Sequence, residues 1–213
     1  MSLMLRPAGA GDVDFVAWAI LASQRSHLSR GWFDIALDRP EAECLAFVRR
    51  LATAPTVSWW HRSTFWIAET DGVAGAALCV QPAAGAYSAA VAAIDEAASA
   101  HGFDPAERAA IRRRGDYAGA CWMAGDDAAW LIEHVATHPS RRRRGLVQAL
   151  LEHAFALGRE HGCRKAQITF VIGNEAAEKA YARAGFQFAE EKRSARFQAV
   201  TGAPGFRRCE RPL

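Results

Sequence analysis

Four consecutive arginines, Arg141-Arg142-Arg143-Arg144, run directly into Gly145-Leu146-Val147 and form the densest functional chemistry in the 213-residue sequence. The stretch before them, ending in Thr137-His138-Pro139, reads as a strand end, and the apolar periodicity after them reads as a helix. A helix N-terminus carries about half a positive charge, so each neighbouring guanidinium adds repulsion until an anion arrives. Free backbone N–H groups, the helix dipole and guanidinium forks together suit a phosphate or pyrophosphate, and Gly145 lets such a ligand approach the main chain. A solvated basic loop or a weak nucleic-acid patch uses the same residues. Further on, Asn174 and Tyr181 stand seven apart, about 700° around a helix, and therefore share one face. That spacing suits an amide and a phenol working on one extended ligand, and it equally suits a helix cap with a half-buried tyrosine.

Metal chemistry has little support. The five cysteines contain no C-x-x-C pair, and His134 and His138, although four apart, fall at a strand end and not on a helix. An odd cysteine number without an export signal predicts free thiols. Cys121 and Cys163 have no histidine or aspartate context that would make either a nucleophile.

The elements that position these residues follow from periodicity and punctuation. Leu3 to Arg6 predicts a strand, Asp12 to Leu21 an amphipathic helix, and Pro40 to Ala52 a second helix with Pro40 at its first position. Runs 64–69 and 73–80 flank Asp71-Gly72, a tight-turn pair, and predict a β-hairpin. Residues 81–128 read as a helical insertion, with helices over about 87–100 and from Asp104-Pro105 onward. From 130 to 190 the pattern is βαβαβ: strand 130–137, helix 144–161, strand 166–171, helix 174–184, strand 186–190. A turn at Gly202 to Gly205 and a last antiparallel strand close the chain.

At 51% hydrophobic and 23% charged residues, the composition excludes disorder and fibres, and 213 residues predict a single domain. Residues 72–94 carry no charge, but alanine, Gly75, Gln81, Pro82 and Gly85 dominate them, so they are expected as strand, turn and helix and not as a membrane span. The opening residues lack a secretory pattern, which leads to the expectation of a cytoplasmic protein. Residues 1–128 hold 11 basic and 15 acidic groups and residues 129–213 hold 15 and 8, giving −4 and +7. That split suggests an anionic ligand in the second part and a cationic one in the first, with Trp122 and Asp126-Asp127 as a clamp for an ammonium or as an ordinary turn.

Arg142-Arg143-Arg144-Gly145-Leu146-Val147 resembles the Q/R-x-x-G-x-G/A phosphate loop of the GNAT superfamily of acetyl-CoA-dependent N-acetyltransferases, with Val147 in place of the last small residue. Asn174, Ala177, Tyr181 and Gly185-Phe186 resemble a second family motif, N-x-x-A-x-x-x-Y-x-x-x-G-F, in the right order and at the right distance. The resemblance covers about 130–190 and the first strand and helix, and leaves 81–128 unmatched. It implies an α/β fold with a mixed, mostly antiparallel sheet, in which the 130–137 and 166–171 strands run parallel and separate around acetyl-CoA. It implies acetyl transfer to a primary amine in a ternary complex. The cofactor would lie against Val135, Thr137, Arg142, Arg143, Arg144, Gly145, Leu146, Val147 and Asn174, with the Val135 N–H at a strand bulge holding the carbonyl oxygen. Tyr181 would protonate the departing thiolate and Glu133 would act as base, with Glu69 in reserve and a surface carboxylate as the plain alternative for Glu133. The implied partner is a small-molecule or peptide amine, not nucleic acid or membrane, and a homodimer is compatible. A different acyl donor, an idle CoA sensor and a basic interaction module remain open.

Overall fold

The computed structural model describes residues 2–213. The first half of the chain forms β1 (Leu3–Pro7), α1 (Val13–Arg25), α2 (Trp32–Leu37), α3 (Glu41–Leu51), β2 (Phe65–Thr70), β3 (Val73–Pro82), α4 (Ala86–His101) and α5 (Pro105–Gly115). The second half forms β4 (Trp130–Thr137), α6 (Leu146–Glu160), β5 (Lys165–Val171), α7 (Glu175–Arg183), β6 (Gln187–Arg193), α8 (Ala195–Thr201) and β7 (Gly205–Pro212). Among the described residues no helix is long and apolar enough to cross a membrane.

The seven strands make one sheet in the order β1-β2-β3-β4-β5-β7-β6. Every neighbouring pair is antiparallel except β4 and β5. The β2–β3 hairpin turns through Asp71 at φ 53° and Gly72 at φ 76°, the two positive values that a tight primed turn requires. On one face of the sheet Phe65, Ile67, Ala77 and Cys79 pack against α1, α3 and α4 through Ile20, Phe47, Leu51 and Ala93. On the other face Leu78, Ile132 and Ile168 pack against α6 and α7 through Leu150, Phe155 and Tyr181.

The insertion forms the expected helices. Asp104 caps α5, its Oδ1 accepting the Glu107 N–H at 2.8 Å, and Pro105 occupies the first turn. The alanine run of α4 is a core helix, with Ala90, Ala93, Ala97 and Ala98 buried. Three local details differ from expectation. Pro40 caps α3 from outside, with ψ 154°, and does not occupy its first turn. Residues 195–201 form α8, closed by Gly202 at φ 83°. Residues 32–37 form α2, a short helix whose Asp34 carboxylate is buried yet held by Arg25 at 2.7 and 2.9 Å and by the Gly31 N–H at 2.8 Å. These bonds keep Asp34 ionised, below the usual carboxylate range despite its burial.

Gly31 marks the tightest approach between α1 and α2. A Cβ there would lie 2.5 Å from the Gln24 carbonyl carbon and 2.6 Å from the Arg25 nitrogen, both backbone atoms with no rotamer to yield. Gly31→Ala is therefore expected to destabilise the fold by about 1–3 kcal/mol. A urea denaturation midpoint equal to that of the parent protein would show that the two helices are free to separate.

Candidate active site

β4 and β5 are paired over only three positions, Trp130↔Ala166, Leu131↔Gln167 and Ile132↔Ile168. Beyond Ile132 they part, while β5 stays paired with β7 along its whole length. The gap opens into a cleft of about 2070 Å³ that passes through the sheet layer. Its walls bring together Glu133, Val135, Thr137, Arg142, Arg143, Arg144, Gly145, Leu146, Val147, Asn174 and Tyr181.

A bulge sets the geometry at the centre. Ala77 faces Ala136 and Cys79 faces Glu133, so Leu78 alone stands opposite both His134 and Val135. His134 absorbs the extra residue at φ 52°, an uncommon conformation for a side chain of this size. Alternation along β4 sends Ile132 to the α6 face, and the bulge then directs His134 toward the α1 face, against Phe65 and Trp60. Glu133 lines the cleft with part of its surface open, yet is enclosed deeply enough that burial pushes its carboxyl up to about 8.

His134 is buried, which pushes its imidazole down to about 3, so it is neutral at physiological pH. Its Nδ1 lies 3.1 Å from Ser23 Oγ. The Ser23 hydroxyl donates its one proton to the Ile20 carbonyl at 2.8 Å, so it accepts from His134, which assigns the proton to Nδ1. Nε2 is then a bare lone pair, buried and without a partner among the described residues.

Tyr181 lies in the core between Phe170 and Phe186, at ring distances of 5.4 and 6.0 Å. Burial, and after it the charges of Glu133 and Cys209, push its phenol above the ordinary tyrosine value, so it keeps its proton across the neutral range. Asn174 is already engaged. Its Oδ1 accepts the Ala177 N–H at 3.1 Å as the cap of α7, and its Nδ2 donates to Ser26 Oγ at 2.7 Å, tying α7 to the end of α1.

The arginine loop forms a short 3-10 turn, Pro139–Arg141, and then Gly145 at φ 75° as the N-cap of α6. The helix begins at Leu146, so Arg142, Arg143 and Arg144 precede it and do not lie in its first turn. All three are exposed, and among the described residues none of Arg141 to Arg144 has a carboxylate within 4.0 Å. A Cβ at Gly145 would meet nothing within 4 Å, which leaves open space above its backbone. The loop is held from beneath by Gly75, whose carbonyl accepts the His138 N–H at 2.8 Å.

Two alternatives left open by the sequence are separated by the structure. Glu69 is bonded to Arg6 Nε at 2.7 Å, beside Asp12, and does not line the cleft. Of the two readings of Asp126-Asp127, the turn holds for Asp126, which accepts the Ala128 N–H at 2.9 Å and pairs with Lys165 at 3.1 Å, while Asp127 lies on the cleft wall. The Ser23–His134 pair escaped the sequence reading, because nothing local links two residues 111 positions apart. Among the described residues no cluster of three potential metal ligands occurs, and all five cysteines are free.

A seven-stranded, mostly antiparallel sheet with one splayed parallel pair and helices on both faces is the architecture of solved acetyltransferases. The N-acetyltransferase of Staphylococcus aureus Mu50 is similar over 98% of this chain and 100% of its own, at 16% identity and a TM-score of 0.70. The polyamine N-acetyltransferase of Drosophila melanogaster is similar over 100% of both chains, at 14% identity and a TM-score of 0.57. The N-acetylglutamate synthase of Neisseria gonorrhoeae, solved with coenzyme A and N-acetylglutamate, is similar over 100% of this chain and 35% of its own, at 16% identity and a TM-score of 0.51. No curated protein matches the sequence. Residues 31–186 match the Acetyltransferase (GNAT) family, so the chain belongs to that family and is an N-acetyltransferase.

Ser23→Ala removes the acceptor of the His134 Nδ1–H and leaves a buried donor unsatisfied. The expected loss of stability is about 1–3 kcal/mol, read by denaturant titration. A nitrogen NMR spectrum of His134 should at the same time lose the single Nδ1–H tautomer of the parent.

Proposed function

We propose that this protein transfers the acetyl group of acetyl-CoA directly to a primary amine, both substrates meeting in the cleft between β4 and β5. The observation that carries the reading is the placing of an unpaired arginine cradle, a neutral phenol and an elevated carboxyl on one continuous cleft. Open space above Gly145 and four cations without counter-charges fit a pyrophosphate.

An acetyl thioester held there would supply the electrophilic carbonyl carbon and a thiolate leaving group. Glu133 takes up, through water, the proton that the attacking nitrogen sheds as the new C–N bond forms. Val135, the second residue of the bulge, offers its N–H to the carbonyl oxygen. Tyr181 gives its proton to the sulfur as the C–S bond breaks and regains one from solvent. Asn174 acts here by anchoring α7, and with it Tyr181, against the end of α1. Direct transfer needs no nucleophile on the enzyme, in keeping with cysteines whose thiols burial pushes up and away from thiolate.

Replacing Arg142 and Arg144 together by Ala is expected to raise the coenzyme A dissociation constant at least tenfold, since a charge-assisted contact contributes about 1.5–3 kcal/mol. Calorimetry at two salt concentrations tests this, and an unchanged affinity removes the cradle from the site.

The carboxyl of Glu133 works as a base only when ionised, so activity should rise with pH up to about 8 and then lose that limb. The acceptor ammonium titrates higher, near 10 for a simple alkylamine. The logarithm of kcat/KM should therefore climb with slope two below about 8 and slope one above it. Glu133→Gln should leave slope one throughout and lower the plateau rate by about 10²–10⁴-fold. A variant that keeps the steeper limb assigns it to another group.

A further inference from the structure

We propose that the acceptor is a primary amine whose body is a flat aromatic ring, an inference that rests on the acetyl-transfer reading and adds the class of its substrate. The carrying observation is a continuous track of rings leading outward from the bulge. The His134 ring lies 6.4 Å from Trp60, Trp60 lies 5.5 Å from Trp59, Trp59 lies 6.2 Å from Trp122, and Trp122 lies 4.7 Å from Tyr87. All five side chains line the same cleft as Glu133.

The track changes character along its length. Its inner end is buried and polar: Trp60 Nε1–H is a donor and His134 Nε2 an acceptor, and neither has a partner among the described residues. Its outer end is exposed and apolar, with Trp122 at 45%, Tyr87 at 57% and Val91, one helical turn further along α4, at 46%. Two large rings and a valine left open side by side at the mouth of a cleft mark a binding surface. Ala86 and Ala90 on the same helix are small, which leaves depth beside the rings. An amine directed inward with a ring stacked outward matches this gradient, since aromatic pairs gain from offset or edge contacts beyond the area they bury.

Charge argues against a polycation. Of the aspartates on this part of the wall, Asp95 is paired with Arg112 at 3.4 Å and Asp116 with Arg196 at 2.8 Å. Among the described residues Asp127 has no ion pair, and Arg112 and Arg208 line the cleft as well. The −4 of residues 1–128 is offset in part from the second half, by Arg196 on Asp116 and Lys165 on Asp126, which on this part of the wall leaves Asp127 as the aspartate to meet a second ammonium.

The test compares phenethylamine and tryptamine with putrescine, spermidine and cyclohexylethylamine as acceptors for the full chain with acetyl-CoA. The aromatic amines are expected to show kcat/KM at least tenfold above the others. Trp122→Ala and Tyr87→Ala, at exposed positions, are expected to raise KM for phenethylamine at least fivefold with the effect on KM exceeding that on kcat, and Trp122→Phe to recover most of the loss. Calorimetric coenzyme A affinity of each variant separates the two levels of the argument. Retained coenzyme A binding with preference for the di- and polyamines, or with KM for phenethylamine unmoved in both alanine variants, overturns the aromatic assignment alone. No transfer to any amine overturns it together with the acetyl-transfer reading, and absent coenzyme A binding by the parent protein locates the failure in the cradle.

Discussion

The early end of the β4–β5 ladder is the constraint on which the site depends. Parallel strands that stop hydrogen-bonding after three pairs leave backbone groups from Glu133 onward and from Thr169 onward facing a gap. A sheet interior does not tolerate such groups without partners, so the gap must be wet or filled by a ligand with amides of its own. The sheet can afford the opening because its two halves are stabilised separately. β4 is held by β3, and β5 by seven register pairs with β7. The helices complete the separation, with α1 closing one side of the gap and α6 and α7 the other.

The bulge sets which side chains face that gap. One additional residue in β4 places Glu133 and His134 on the same side of the sheet, where strict alternation would have divided them. Burial then acts on the two in opposite directions, keeping a proton on the carboxyl to higher pH and keeping the imidazole neutral. The positive φ at His134 is a strained conformation, maintained by the hydrogen bond to Ser23 and by stacking against Phe65.

What the sequence revealed follows the range over which each signal acts. Asp71-Gly72, Asp104-Pro105, Asn174 and Gly185 are local punctuation, and each performs in the structure the turn or cap role read from it. The arginine run and the seven-residue spacing of Asn174 and Tyr181 were equally legible, because strand–loop–helix geometry alone brings them to one cleft. Long-range outcomes were not. Nothing local announces that Asp34 is stabilised by Arg25 strongly enough to build α2, that Glu69 is drawn to Arg6 and away from the cleft, or that Trp59 and Trp122 converge across 63 positions. The halves of the chain differ in net charge as composition shows, but the neutralising partners are set by packing, so the sum over a segment says little about the field in the cleft.

The strand order has a consequence for how the molecule is made. β7, the last of the strands, lies between β5 and β6, and among the described residues β6 has no other strand neighbour. During synthesis β5 and β6 therefore emerge with the edges that β7 will bridge still bare, and β6 cannot join the sheet until residues 205–212 have cleared the ribosome. The β1–β4 half, whose strands pair with their nearest sequence neighbours, can form first and wait. Completion of the cleft wall is thus a late, nonlocal step, and the interval before it is when exposed strand edges make the chain most prone to misassembly.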